Sequence, residues 1–132
     1  MHAVGTFDVK LTPQTPNDPS SDTSIGRMSI QKQFSGGLEA TSTGEMLASM
    51  SGVQGSAGYV AMEKVAGTLD GQSGTFVLQH SGTMTRGEPT LTVTVVPDSG
   101  TDQLAGLSGS MKIDVIDGKH HYEFAYKQDE AH

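Results

Sequence analysis

The stretch that decides the fold is residues 57–85, AGYVAMEKVAGTLDGQSGTFVLQHSGTMT. Two long alternating runs flank the dipeptide Asp70-Gly71 in its middle. Asp-Gly between alternating runs is the signal of a two-residue type I′ hairpin turn. Such a turn sets the register of the two strands, and this register predicts that Ala61 lies directly opposite His80.

The predicted register sorts the side chains of this hairpin into two faces. One face holds the bulkier and aromatic residues, and we assign it to the interior of the fold. Its members are Tyr59, Ala61, Glu63, Val65, Phe76, Leu78 and His80. The other face carries more polar side chains and is assigned to the outside; its members are Val60, Met62, Lys64, Thr75, Val77 and Gln79.

A second Asp-Gly dipeptide, Asp117-Gly118, indicates a hairpin between Ser108–Ile116 and Lys119–Lys127. Its register places Ile113 opposite Tyr122 on the core face. On the outer face the same register pairs basic with acidic side chains across the strands, which agrees with it.

The two strands of the central hairpin and four further alternating or β-branched runs bring the predicted strands outside the last hairpin to six. These are Val4–Thr12, Ile25–Phe34, Leu38–Met50, Ala57–Leu69, Gln72–Thr85 and Thr90–Val96. A loop is predicted over Pro13–Ser21 and one helical turn near Asp102–Ala105. Eight strands leave two exposed edges in an open sheet, and closure removes them. We therefore predict an all-β fold, a closed antiparallel eight-stranded β-barrel that forms one domain over residues 1–132.

Composition limits the classes of function. The chain has 132 residues, no Cys and a formal net charge of -7. The absence of a basic cluster argues against nucleic acid and anionic membranes as partners. The absence of Cys excludes disulfides and thiolate chemistry. No stretch has the length of a membrane span or the pattern of a signal peptide, so we expect a cytoplasmic protein. A homo-oligomer is left open.

Glu63 is the most informative candidate because it lies on an apolar face. A buried carboxylate must be paired, hydrogen-bonded or protonated. His80 lies diagonal to both Glu63 and Tyr59 across the small Ala61, within reach of long side chains. These three residues are the candidate catalytic group, with Glu63 and His80 as acid and base. The alternative is a structural hydrogen bond that fills the barrel.

Four further residues are candidates for ligand binding: Tyr122, Glu39, Glu45 and Arg86. The two glutamates share one face of the third strand, and the turn at Ser35–Gly37 decides whether that face points inward. A three-residue loop would put Leu38 inside, and a two-residue or bulged turn would reverse the face. We predict no metal site, because the adjacent pair His120-His121 points to opposite faces of a strand.

Three segments carry a resemblance to a known family: residues 58–84, Leu91–Val96 together with Gly106-Leu107-Ser108-Gly109, and Gly118–Phe124. Together they resemble a bacterial family of uncharacterised proteins grouped with the allene oxide cyclase-like barrels. The resemblance implies an eight-stranded antiparallel barrel. It also implies a precedent for small apolar substrates inside the barrel, since plant enzymes of that fold cyclise an unsaturated fatty-acid epoxide. It assigns no catalytic residue in this chain.

The sequence leaves three hypotheses for function. The first is a cofactor-independent isomerase or cyclase acting on a small apolar molecule. The second is a lipocalin-like binding module in which the same groups only anchor a ligand. The third is a packed structural or oligomerising domain. Whether the chain is an enzyme stays open, and pocket volume is the observation that best separates the first two hypotheses from the third.

Overall fold

A computed structural model describes residues 1–14, 25–50 and 52–129, with the side chain of Gln14 excepted. Over these residues the chain forms a closed barrel of eight antiparallel strands in chain order, in which the last strand pairs with the first. The strands are β1 (His2–Gln14), β2 (Ile25–Gly36), β3 (Leu38–Met50), β4 (Ala57–Leu69), β5 (Gln72–Thr85), β6 (Glu88–Val95), β7 (Leu107–Ile116) and β8 (Lys119–Gln128). The predicted fold class is confirmed.

Both Asp-Gly turns produce the predicted register. Ala61 pairs with His80, and Ile113 pairs with Tyr122. Asp70 and Gly71 have φ values of 47° and 85°. Positive φ at both central residues is what a type I′ turn requires. The face assigned to the interior is confirmed by burial, since Glu63, Phe76 and His80 on that face are all buried.

The observed bounds differ from prediction mainly in β1 and β6. Strand β1 continues through Pro13, which pairs with Met28 on β2, so the predicted loop begins too early. Pairing with a neighbouring strand outweighs the turn-forming composition here, because proline is tolerated near the end of a strand. Residues 15–21 of the predicted loop lie outside the described residues. Strand β6 covers Glu88–Val95 rather than Thr90–Val96.

The two ends of the barrel are built differently. At one end, which we call the closed end, lie the β2–β3 and β4–β5 turns and a 3-10 turn over Asp102–Leu104. Leu104 is 1% exposed and belongs to the main apolar cluster, so the 3-10 turn covers this end of the core. Thr101 attaches the link to β5, since its backbone N–H donates to Thr75 O at 2.9 Å.

At the opposite end, which we call the mouth, β3 and β5 end and β4 and β6 begin. Apolar side chains from the inward set are partly exposed here; Met84 is 43% and Leu91 40% exposed. Among the residues that the structure describes, no segment covers Met84 and Leu91 as the 3-10 turn covers the closed end. The described residues include no helix of the length and apolar character that spanning a bilayer requires.

Candidate functional site

A buried carboxylate lies inside the barrel. Glu63 on β4 is 0% exposed. Its Oε1 accepts hydrogen bonds from His80 Nε2 at 2.6 Å and from Lys32 Nζ at 3.0 Å. Its Oε2 accepts one from Ser42 Oγ at 2.5 Å. We call these four residues the ion cluster; they come from four consecutive strands, β2 to β5.

The strand register explains how four separate strands supply this cluster. Lys32 lies opposite Ser42 on the adjacent strand, and its long side chain spans β3 to reach Glu63 on β4. Gly44 lies directly opposite Glu63. A Cβ at position 44 would lie 2.7 Å from the Cα of Glu63, so the two strands approach too closely here for any side chain.

Lys32 is the cation of the cluster and is almost hidden from solvent. Its side chain is 7% exposed. Its ammonium group lies 4.7 Å from the ring centroid of Phe7 and 5.8 Å from that of Phe34. Both rings contribute a cation–π attraction, and Glu63 supplies the opposite charge. A buried ammonium without such a partner would strongly destabilise the fold.

Glu63 remains ionised in this environment. Burial by itself raises the pKa of Glu63, but the hydrogen bond from His80, the charge of Lys32 and the hydrogen bond from Ser42 lower it to about 2. An ionised carboxylate has no proton to donate. The proton in the short contact with His80 is therefore carried by His80 Nε2.

The second ring nitrogen of His80 faces Tyr59. Tyr59 Oη lies 3.5 Å from His80 Nδ1. When the imidazole carries its single proton on Nε2, Nδ1 is an acceptor and the phenol is the donor. Burial and the charge of Glu63 raise the pKa of Tyr59, so its hydroxyl keeps its proton. Glu63, His80 and Tyr59 thus form a chain of hydrogen-bonding groups that runs from the interior toward the mouth.

Tyr59 also lines a pocket of about 520 Å³ at the mouth. The pocket lies between the mouth ends of β3, β4, β5 and β6. Its lining residues are Met46, Ala48, Met50, Ala57, Gly58, Tyr59, Gly82, Thr83, Met84, Pro89, Thr90 and Leu91. Thr83 and Thr90 belong to the outward-facing set of their strands. Among the inward-facing lining residues of the described chain, Tyr59 alone has a polar side chain.

A glycine fixes the position of the Tyr59 ring. Gly82 pairs with Tyr59 across β4 and β5. A Cβ at position 82 would lie 2.5 Å from Tyr59 Cε1 and 3.3 Å from Leu91 Cδ1. The ring therefore occupies the space that a side chain at position 82 would fill. This contact directs the Tyr59 hydroxyl toward His80.

The structure brings together three of the predicted site residues and separates the other four from them. Glu63, His80 and Tyr59 form the chain described above. Glu39 and Glu45 lie on the outer face of β3, because the turn places Leu38 inside the barrel. There Glu39 Oε1 accepts from the Gly36 N–H at 2.8 Å, and Glu45 Oε1 lies 3.7 Å from Arg27 Nε.

Arg86 and Tyr122 have local roles away from the ion cluster. Arg86 lies exposed in the β5–β6 turn, where its backbone N–H donates to Ser56 Oγ at 3.0 Å. Tyr122 is buried, and its hydroxyl donates to Ser35 O while accepting from the Leu38 N–H, both at 2.9 Å. Tyr122 thus ties β8 to the β2–β3 turn. Burial raises the pKa of Tyr122, so this donor is retained.

Lys32 and Ser42 were not identified from the sequence. A signal for Lys32 was present: in β2 it alternates with Ile30 and Phe34, both of which are buried. A cation at that spacing points into the barrel and needs a counter-charge. Ser42 gives a weaker signal, because serine is common on both faces of strands.

Comparison with known proteins identifies the family. The chain matches the family described as "Protein of unknown function (DUF3224)" over residues 3–126. The chain belongs to this DUF3224 family. A crystal structure of a DUF3224 protein of unknown function from Shewanella oneidensis MR-1 is 48% identical, with a TM-score of 0.93 over 99% of this chain and 98% of that one. None of the curated proteins matches. The predicted family of uncharacterised proteins is confirmed, and its wider grouping with allene oxide cyclase-like barrels stays a prediction.

Proposed function

We propose that this barrel binds a small apolar molecule in the mouth pocket. The observation that carries the proposal is the pocket of about 520 Å³, lined on its inward-facing side by apolar residues. Ligand pockets commonly have volumes of about 300–1,000 Å³ with apolar walls and a few placed polar groups. The Tyr59 hydroxyl is such a group.

The composition of the mouth supports the same proposal. Three of the lining residues are methionines: Met46, Met50 and Met84. Methionine is flexible and polarisable, so a methionine-lined pocket adapts to apolar molecules of different shapes. Met50 and Met84 are also exposed, and a bound apolar molecule would remove this surface from water.

The experiment is a fluorescence titration with N-phenyl-1-naphthylamine, an uncharged apolar probe. The wild-type protein should bind it with saturation. Ala48→Phe, which fills the pocket from β3, should weaken binding at least tenfold. Thr43→Phe adds the same side chain on the outer face of β3 and should leave binding unchanged. Absence of saturable binding, or equal binding by Ala48→Phe, would refute the proposal.

A second candidate function is cofactor-independent isomerisation of the bound molecule. The observation in its favour is the chain Tyr59–His80–Glu63. His80 Nδ1 can take the Tyr59 proton while the phenolate oxygen takes a proton from the substrate, and reversal returns a proton at another carbon. Glu63 stays ionised and stabilises the imidazolium that forms, the task of the carboxylate in other carboxylate–histidine pairs.

Turnover separates the binding module from the enzyme. We would incubate the protein with a panel of apolar polyenes and epoxides and follow isomer formation. Conversion that is lost in Tyr59→Phe and in His80→Gln, while N-phenyl-1-naphthylamine still binds, would establish catalysis. Binding without conversion would leave a lipocalin-like module.

A further inference from the structure

Among the described residues of the pocket's inner wall, one has a polar side chain. It is Tyr59, and the other inward-facing lining residues are methionine, alanine, glycine, leucine and proline. A molecule in the pocket can therefore form a specific hydrogen bond with a side chain of this wall at the Tyr59 hydroxyl. Any further polar group on the molecule would be buried against this wall without a partner unless it reached solvent, which costs free energy.

The geometry around Tyr59 determines which kind of group it binds. The Tyr59 hydroxyl lies 3.5 Å from His80 Nδ1, which is long for an O–H···N hydrogen bond. A ligand acceptor placed closer than that would take over the hydrogen bond. The phenol keeps its proton, because burial and the charge of Glu63 both raise its pKa. Tyr59 is thus a donor for which the described residues supply no closer acceptor than His80.

The pocket lining also determines the charge of the group that fits. The described residues that line it include no charged side chain and no member of the ion cluster. An anionic or a cationic headgroup would therefore be buried against apolar side chains without a counter-charge, which costs free energy. An uncharged acceptor does not meet this obstacle.

We propose that the natural ligand is an uncharged apolar carbonyl compound, a ketone or aldehyde, whose oxygen accepts a hydrogen bond from the Tyr59 hydroxyl while its hydrocarbon part lies among the methionines of the mouth. The inference rests on the proposed function, because it concerns the same pocket. It goes further by naming the chemical class of the ligand and the residue that selects it.

The experiment uses three naphthalene probes that differ in one group. The first is the fluorescent ketone 6-propionyl-2-(dimethylamino)naphthalene, the second its 6-propyl analogue without oxygen, and the third 6-(dimethylamino)-2-naphthoic acid. We expect the ketone to bind about five- to tenfold more tightly than the propyl analogue, the difference that one net hydrogen bond makes. The carboxylate should bind at least tenfold more weakly than the ketone.

Tyr59→Phe isolates the hydroxyl. This variant should lower the affinity for the ketone to that of the propyl analogue and leave the affinity for the propyl analogue unchanged. The infrared C=O stretch of the bound ketone should lie at lower frequency in wild type than in Tyr59→Phe, because hydrogen bonding weakens the C=O bond. Tyr126→Phe removes a tyrosine hydroxyl at the closed end and should change neither quantity.

The outcomes separate this inference from the proposed function. Equal binding of ketone and propyl analogue, a carboxylate that binds as tightly as the ketone, or an unchanged C=O stretch in Tyr59→Phe would overturn the carbonyl assignment while the pocket stands. Absence of binding by all three probes would overturn the assignment together with the pocket.

Discussion

The two ends of this barrel share one pattern of alternation but differ in what covers them. At the closed end, Leu104 from the 3-10 turn lies over the core and is 1% exposed. At the mouth, Met84 and Leu91 occupy the same inward-facing positions of their strands but are 43% and 40% exposed. Among the described residues, an inward-facing position is thus fully buried at the end that the 3-10 turn covers and only partly buried at the mouth.

Asp70 and Glu63 both accept hydrogen bonds from buried side chains, and the two carboxylates are used differently. Near the closed end, Asp70 accepts a hydrogen bond from the Tyr126 hydroxyl. Burial and this contact raise the pKa of Tyr126 to about 12. In the middle of β4, Glu63 is fully buried and accepts hydrogen bonds from Lys32, Ser42 and His80. The Asp70 contact links the β4–β5 turn to β8. The Glu63 contacts also position His80 next to Tyr59, which lines the mouth pocket.

The largest effect is expected from removing the charge of Glu63. Glu63→Gln leaves the Lys32 ammonium buried without a counter-charge and places an amide where His80 and Lys32 both donate. Breaking a buried ion pair in this way destabilises a protein by about 3–5 kcal/mol. Urea unfolding monitored by circular dichroism measures the loss. A change below about 1 kcal/mol would contradict the buried pairing.

Lys32→Met provides the matched partner for this measurement and remains informative if Glu63→Gln fails to fold. The double variant Lys32→Met/Glu63→Gln has no buried charge from this pair, so it should be more stable than the sum of the single changes predicts. Residues in direct contact show such coupling, and distant residues do not. Strict additivity of the two changes would show that the ammonium and the carboxylate do not interact.

The register and interior of the central hairpin could be predicted because a local signal determines them. The Asp70-Gly71 turn fixes every pair from Leu69 and Gln72 outward, including the placement of Glu63 and His80 inside. The side of β3 that faces inward could not be predicted, because Ser35–Gly37 is compatible with more than one turn geometry. In the structure Gly36 adopts a φ of 112° and Leu38 turns inward.

The part of the site that the sequence did not predict, the contact of Lys32 with Glu63, depends on strands that are not adjacent. Lys32 reaches Glu63 across β3, and no turn near either residue specifies that contact. Alternation alone could have placed Lys32 inside, but the choice of its partner depends on how far the barrel curves. The same holds for the mouth pocket, because its volume depends on how the ends of β3 to β6 curve around it.

Acid should reveal the ion cluster as a loss of stability. The pKa of Glu63 is about 2 in the folded protein against an ordinary value of 4.5. A lowered folded pKa contributes stability that is present above about pH 4.5 and is lost as the pH falls toward 2. The difference corresponds to a loss on the order of 3 kcal/mol. Unfolding free energies measured between pH 6 and 2 should fall more steeply in wild type than in Lys32→Met/Glu63→Gln, and parallel curves would contradict this origin.

A smaller effect is expected from the carboxylate contact near the closed end. Tyr126→Phe removes the hydroxyl that donates to Asp70, but Asp70 lies in an exposed turn and can be hydrated instead. The expected loss is about 1–2 kcal/mol, near the lower part of the range for hydrogen bonds to charged groups. Urea unfolding again measures it. A loss of unfolding free energy as large as that of Glu63→Gln would mean that the Asp70 and Glu63 contacts contribute equally to stability. The contrast between the two carboxylates would then not hold.

The smallest effect on stability, and the sharpest on the mouth, is expected from Gly82→Ala. The added Cβ would lie 2.5 Å from the Tyr59 ring, so the ring must move. Tyr59 is only partly buried and has the pocket to move into. Replacing glycine within a strand also removes an entropic cost of about 0.5–1 kcal/mol. The two contributions oppose each other, so stability should change by less than about 1 kcal/mol.

The displaced ring should nevertheless alter the site in Gly82→Ala. It narrows the pocket and takes the Tyr59 hydroxyl away from His80 Nδ1, so binding of N-phenyl-1-naphthylamine should weaken and the ¹⁵N shift of His80 Nδ1 should change. Gly26→Ala is the matched control, because a Cβ at position 26 would have no atom within 4 Å and Gly26 does not line the pocket. It should leave both readings at wild-type values. If Gly82→Ala also left probe binding and the ¹⁵N shift unchanged, the absence of a side chain at position 82 would not determine where the Tyr59 ring lies. The mouth pocket would then have no defined binding geometry at Tyr59.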